Sequence, residues 1–233
     1  MNCQSIFVTA TGTDVGKTYV SGLLVKKMRE FGLNCGYYKP ALSGAIKQAD
    51  ETLLPGDCDY VIKTSGLNVK PSDCVSYCFE EAVSPHLAAV RTGVNIQTNV
   101  IVNDYTKISK KYNYLVVEGA GGITCPFNLK EDKLLLPDII NALNIPVLIV
   151  ADGGLGTINS VILTVEYAKS YGLSIAGIIL NNYDKDNFMH VDNKKQIEIL
   201  TGVKVIAEVA KGDTDLNITK ENLVDIFLKK EGI

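Results

Sequence analysis

Between a short apolar run and an amphipathic one the chain reads TATGTDVGKT, Thr9 to Thr18. These residues suit phosphoryl chemistry. Successive loop N–H groups ahead of a helix cradle phosphate oxygens. A lysine at the loop's end reaches the transferred phosphoryl group, and the next hydroxyl can ligate Mg2+. Gly16, Lys17 and Thr18 supply that ending. The common spacing, G-x-x-x-x-G-K-[ST], wants a glycine where this chain has Thr11. Gly12 falls one place late and Ala10 one place early, so the loop reads as one residue longer than the common form.

Other polar residues follow apolar runs in the same way. YKPALSG (38–44) places Lys39 and Ser43 after one run. EGAGG (118–122) places Glu118 before a flexible turn, where a buried carboxylate needs a cation beside it. DGGLGTINS (152–160) offers Gly153, Gly154 and Gly156 ahead of a helix, a second N-terminus suited to phosphate or carboxylate. Asn181 and Asn182 end a further run, and an asparagine amide donates and accepts in one plane, as an adenine edge requires. Arginines are confined to Arg29 and Arg91, away from these positions, so lysines and metal must neutralise phosphate.

The elements that position these residues alternate. Ser5–Thr9, Cys35–Tyr38, Tyr114–Val117, Pro146–Ala151, Ile175–Leu180 and Val203–Val209 read as strands, the second stopped by Pro40. Most are continuously apolar, as strands covered on both faces are. Thr18–Phe31, Leu135–Leu143, Ile158–Tyr171 and Lys220–Lys229 read as helices, with shorter ones near Asp57–Ser65, Pro85–Arg91 and Ile96–Lys110. Such alternation predicts a mostly parallel sheet with right-handed crossovers, with ligands at the carboxyl ends of the strands. No repeat or linker interrupts it, which predicts one domain over residues 1–233.

The totals exclude some partners. A formal net charge of -3 with 21% charged residues gives no reason to expect a nucleic-acid surface. No apolar run nears the ~20 residues needed to span a membrane. The six cysteines form no CxxC pair and no basic-then-apolar leader precedes them, which predicts reduced thiols in a cytoplasmic protein. With only His86 and His190 beside them, a cysteine metal site is not expected.

The ordered set resembles the dethiobiotin synthetase family. TGTDVGKT resembles that family's long phosphate loop, and YKPALSG, SPH (Ser84–His86), VEGAGG, GGLGTIN and the Asn181 strand end follow in its order, across residues 5–182. VEGAGG alone also occurs in amidotransferase-type ATPases; YKP-x2-SG with SPH is the more specific part. The resemblance implies a P-loop NTPase-like α/β domain with about seven strands and helices on both faces. It also implies a reaction in which ATP and CO2 close the ureido ring of 7,8-diaminopelargonate. One amine forms a carbamate, ATP phosphorylates it, and the second amine displaces phosphate. Such chemistry asks for positioning and charge neutralisation rather than a nucleophile.

Residue by residue, the resemblance gives Lys17 and Lys39 to the phosphoryl group and carbamate, with Thr13 and Ser43 lining that region. Thr13, Asp14, Val15, Gly16, Lys17, Thr18, Glu118, Gly119 and Gly121 surround the nucleotide phosphates, and Asn181 reads adenine. Thr18, Asp59 and Glu118 hold Mg2+. GDCDY also offers Asp57, but apolar residues follow Asp59 as in the family, which selects Asp59. Gly154, Leu155, Gly156, Thr157 and Asn159 bind the substrate's carboxylate tail, contributed by the second subunit of a homodimer. Two departures stand out. Ala10 replaces the family's first loop glycine, which requires a negative φ there. VIAEVA lacks the proline common after the Glu–apolar pair. Two other readings share parts of this pattern. A cobyrinate-type amide ligase needs an ammonia source, and a glutaminase-like Cys/His domain is not recognised. A partitioning or positioning switch ATPase usually carries an extra lysine early in the loop, and Ala10–Thr13 has none.

Overall fold

Strand period and two-sided cover explain the architecture. In the computed structural model, which describes residues 3–130 and 133–228, strand β1 (Gln4–Ala10) turns Ile6, Val8 and Ala10 to one face and Phe7 to the other. Both sets are fully buried. The same split recurs where β9 (Val147–Asp152) sends Ile149 one way and Val150 the other. A strand buried on both faces must be apolar throughout, which is why these runs lack alternation.

The remaining strands are β2 (Cys35–Ser43), β3 (Ile46–Lys47), β4 (Leu53–Leu54), β5 (Val75–Phe79), β6 (Tyr114–Glu118), β7 (Pro126–Asn128), β8 (Leu134–Leu135), β10 (Ile175–Asn181) and β11 (Val205–Val209). Seven of them form one parallel sheet in the order β11-β10-β9-β1-β6-β2-β5, and β3–β4 and β7–β8 are small antiparallel pairs. Helices α1 (Lys17–Glu30), α2 (Gly56–Ser65) and α8 (Lys220–Asp225) cover one face. Helices α3 (Pro85–Thr92), α4 (Thr98–Ser109), α5 (Leu136–Leu143), α6 (Thr157–Ser170) and α7 (Phe188–Thr201) cover the other. The result is the expected α/β domain with a parallel seven-stranded sheet.

Three expectations change. Pro40 does not stop β2. Pairing with β6 ends at Tyr38, and pairing with β5 runs from Lys39 to Ser43, so Pro40 sits where the β6 ladder has already finished and no N–H is required there. Besides the short antiparallel pairs β3–β4 and β7–β8, β5 and α7 escaped the pattern. β5 is a half-buried edge strand, and the inner face of α7 is Asn193, Ile197 and Thr201, with one apolar residue in three. The last helix ends at Asp225; the expected end at Lys229 lies outside the described residues. Among the described residues, no helix is long and apolar enough to cross a membrane.

Candidate active site

Strand register builds the centre of the site. Tyr38 pairs with Val117 and Val8 with Glu118, so the carboxyl ends of β1, β6 and β2 lie side by side. One step further along β2, Lys39 stands next to Glu118. Glu118 is fully buried and Lys39 is 3% exposed. Lys39 Nζ donates to Glu118 Oε1 at 2.7 Å and to Gly119 O at 3.2 Å, and pairs with Asp57 Oδ2 at 2.8 Å. These three acceptors use all three donors of the ammonium. Burial alone would push the Lys39 pKa down, but the Glu118 and Asp57 carboxylates outweigh it and hold the pKa above its usual value.

The phosphate loop leaves β1 without strain at Ala10, which pairs with Val150 as ordinary extended strand. The positive φ falls instead at Asp14 (61°) and Gly16 (93°). A Cβ on Gly16 would lie 2.1 Å from Asn181 Nδ2, so conformation and space both demand glycine there. Asn181, 6% exposed, donates to Val15 O at 3.0 Å and braces the loop from β10. Lys17 is nearly buried and turns its ammonium onto Gly12 O at 3.2 Å. Burial, with Lys39 nearby, lowers its pKa, an effect Glu118 and Asp57 partly oppose. Thr18 Oγ1 donates to Glu118 Oε1 at 2.8 Å.

Thr13, Asp14, Gly16, Lys17, Thr18, Lys39, Ser43, Asp57, Glu118 and Gly121 therefore line one cavity of about 460 Å³. Among the described residues no thiol lines it: Cys125, packed near Gly121, has its pKa pushed up to about 11 by burial, against the pull of Lys17 and Lys39. The oxygens of Thr18, Asp57 and Glu118 suit Mg2+, which takes few protein ligands and keeps waters or phosphate oxygens for the rest. Among the described residues no group of three His, Cys, Asp or Glu side chains gathers as a self-sufficient metal cage.

The structure sets the two candidate acids of α2 apart, with Asp57 on the cavity and Asp59 off it. The two aspartates lie two residues apart at the start of α2, about 200° around the helix. Asp57 turns to Lys39, whereas Asp59 turns away and pairs with Lys63 at 2.6 Å. Asp57→Ala should therefore raise the Mg2+ concentration for half-maximal turnover about tenfold or more, while Asp59→Ala leaves it within about twofold. A Mg2+ titration of both variants checks this, and the reverse pattern would restore Asp59.

Comparison with known proteins then decides the family. The chain is 49% identical over 225 residues to the ATP-dependent dethiobiotin synthetase BioD of Brachyspira hyodysenteriae, covering 96% of this chain and 99% of that one. It is 44% identical over 224 residues to the protein of the same name from Clostridium botulinum strain Loch Maree, covering 96% and 98%. The chain belongs to the dethiobiotin synthetase family. Residues 4–214 also match the family model described as an AAA domain. Among solved structures, a ParA family ATPase from Chlorobium tepidum superposes with TM-score 0.54 at 15% identity, covering 97% of this chain and 90% of that one. The MinC:MinD complex of Aquifex aeolicus gives 0.53 at 13% identity, covering 97% and 94%. At such identities the likeness is one of fold.

Two parts of the dethiobiotin synthetase pattern lie away from the cavity. The turn Gly153–Gly156 leads into α6 with Gly156 at φ 88° and Leu155 92% exposed. It does not reach the cavity of its own chain. Asp152 Oδ1 accepts from Gly154 N at 2.7 Å, and Asn193 Nδ2 donates to Gly153 O and Gly154 O at 2.9 and 3.0 Å. These bonds turn the carbonyls of Gly153 and Gly154 towards α7, and Leu155 and Gly156 stay exposed. The loop after Glu208 borders a second cavity of about 500 Å³, lined by Asn182, Tyr183, Asp184, Glu208, Ala210 and Asp213 among others. Asn193 and Tyr37, whose phenol donates to Glu118 Oε2 at 2.9 Å, are the residues that sequence reasoning missed.

Proposed function

We propose that this chain is an ATP- and Mg2+-dependent dethiobiotin synthetase, converting 7,8-diaminopelargonate, CO2 and ATP into dethiobiotin, ADP and phosphate. The observation that carries it is the convergence of two buried lysines, Lys17 and Lys39, with Thr18, Asp57 and Glu118 on one cavity at the strands' carboxyl ends. One amine of the substrate adds to CO2 and releases a proton, leaving a carbamate. Lys39 and Ser43 border the place for that anion, and Thr13 lines the same cavity. The carbamate oxygen attacks the γ-phosphorus and ADP leaves. Lys17, at the helix N-terminus, meets the charge on the transferred group. The second amine then attacks the carbonyl carbon, and phosphate departs as the ring closes. Held by Thr18, Asp57 and Glu118, Mg2+ would neutralise charge on the phosphate oxygens.

Asn181 has already committed its amide nitrogen to Val15, so we assign its Oδ1 to the exocyclic amine of adenine, with the base in the cavity beside Asn182 and Glu208. The exposed Gly154–Asn159 segment, with Leu155 at its tip, suits the carboxylate tail of substrate bound to a second copy, in a homodimer. The six free cysteines fit the reducing cytoplasm. Incubation with 7,8-diaminopelargonate, bicarbonate and MgATP should give dethiobiotin and one ADP per ring. Folded protein that makes none overturns the assignment, and a monomer by light scattering during turnover overturns the dimer. A switch ATPase would instead hydrolyse ATP indifferently to diaminopelargonate; the 44–49% identical synthetase relatives stand against that reading, since its supporters share the fold alone.

A further inference from the structure

Glu118 carries more hydrogen bonds than its cation partner requires. Lys39 and Thr18 both reach Oε1, at 2.7 and 2.8 Å. The other oxygen, Oε2, accepts from the Tyr37 hydroxyl at 2.9 Å. Tyr37 is 1% exposed and Glu118 fully buried, so no bulk water competes for that oxygen. The placement follows from the strand period. Tyr37 and Lys39 are two apart on β2 and share a face, and Tyr37 is paired with Val116, two before Glu118 on β6. The next tyrosine, Tyr38, points to the opposite face, where its hydroxyl meets Ser76 Oγ at 2.7 Å and Ile101 O at 3.2 Å.

We propose that Tyr37 is a positioning residue for the metal ligand Glu118: its phenol ties down Oε2, so that Oε1 is the oxygen held towards Thr18, Lys39 and the Mg2+ of bound nucleotide. Burial and the adjacent Glu118 carboxylate both push the Tyr37 pKa well above its usual value, so the phenol keeps its proton and stays a donor at any working pH. A carboxylate fixed through its inner oxygen, Oε2, presents one lone-pair direction to the metal rather than two rotating ones. Partners of this kind set metal affinity without touching the metal. The proposal rests on the reading of Glu118 as a Mg2+ ligand, which wild-type Mg2+ dependence tests separately.

Tyr37→Phe keeps the buried ring and removes only the donor. The Mg2+ concentration for half-maximal turnover should rise about tenfold or more, with the KM for 7,8-diaminopelargonate changed less than about twofold. A second readout needs no turnover: Mn2+ binding, followed by electron paramagnetic resonance with a non-hydrolysable ATP analogue, should weaken by a similar factor. Tyr38→Phe, which removes a buried hydroxyl on the other face, should leave both metal readouts unchanged. Unchanged metal affinity in Tyr37→Phe overturns the proposal. So does an equal weakening in both variants, or a loss of activity with Mn2+ binding intact, since each points to general packing instead.

Discussion

Lys17→Ala should lower dethiobiotin formation about 10^3-fold or more while the thermal unfolding midpoint holds or rises. The two halves of this result have separate causes. Turnover falls because the ammonium is the loop's only side-chain cation, and removal of one preorganised donor from a transition-state charge costs about 10^2–10^3 by itself. Stability does not fall because Lys17 is held at a cost. It is 8% exposed, its one hydrogen bond is to the Gly12 carbonyl, and burial and Lys39 push its pKa down. A lowered lysine pKa means that the folded state gives up its proton before the unfolded chain does. Stability from this group therefore rises as pH climbs from the folded pKa towards 10.5. Nucleotide affinity runs the opposite way: it should weaken over that same interval, as the ammonium that meets the phosphates is lost. Isothermal calorimetry with ATP across alkaline pH reads the second trend, and steady-state assays with thermal melts read the first. Near-normal turnover in Lys17→Ala would remove the phosphate loop from the mechanism.

How much of this site the sequence disclosed depends on how local each cause is. The loop was legible because strand, glycine turn and helix lie within fifteen or so residues and their chemistry is carried by the backbone. Glu118 was legible as a strand-end residue, and Lys39 as the residue closing an apolar run, although β2 runs on to Ser43 beyond it. Asp57 was not, because the choice between two acids of α2 rested on neighbouring residue types. The spacing of Asp59 and Lys63, four apart on one helix, carried the missing signal: it gives Asp59 a partner of its own. Tyr37 required knowing that β2 runs on past Lys39 and in which register it meets β6. Pro40 hid that continuation, and registers between strands 80 residues apart are not local. Asn193 was hidden differently. Its helix turns a polar residue inward, towards the carbonyls of a turn 40 residues earlier, so the apolar period that marks other helices is weak in α7.

Lys39→Met should be inactive as well, but unlike Lys17→Ala it should be less stable, and Mg2+ should restore part of the loss. Methionine keeps most of the stem and removes the charge. Glu118 then remains fully buried with Thr18 and Tyr37 as its donors and no bonded cation, and Asp57 loses its partner at 2.8 Å. Removing one member of a buried ion pair costs about 3–5 kcal/mol, mostly as the penalty on the charge left behind. In a domain of this size that is a fall of roughly 10 °C in melting temperature. A divalent cation held by the same two carboxylates replaces the missing positive charge, so millimolar Mg2+ should recover several degrees in the variant and far less in the wild type. The pH behaviour separates the two lysines again. The Lys39 pKa is raised, so its contribution is fully present below the unfolded value of 10.5 and is lost only as pH passes the folded pKa above it. Alkaline loss of activity in the wild type should thus follow Lys17, with the Lys39–Glu118–Asp57 cluster still intact. Melting curves of Lys39→Met with and without Mg2+ decide the matter. A variant as stable as the wild type without metal would mean that Glu118 needs no cation beside it, and that the cluster is not the charged clamp the geometry describes.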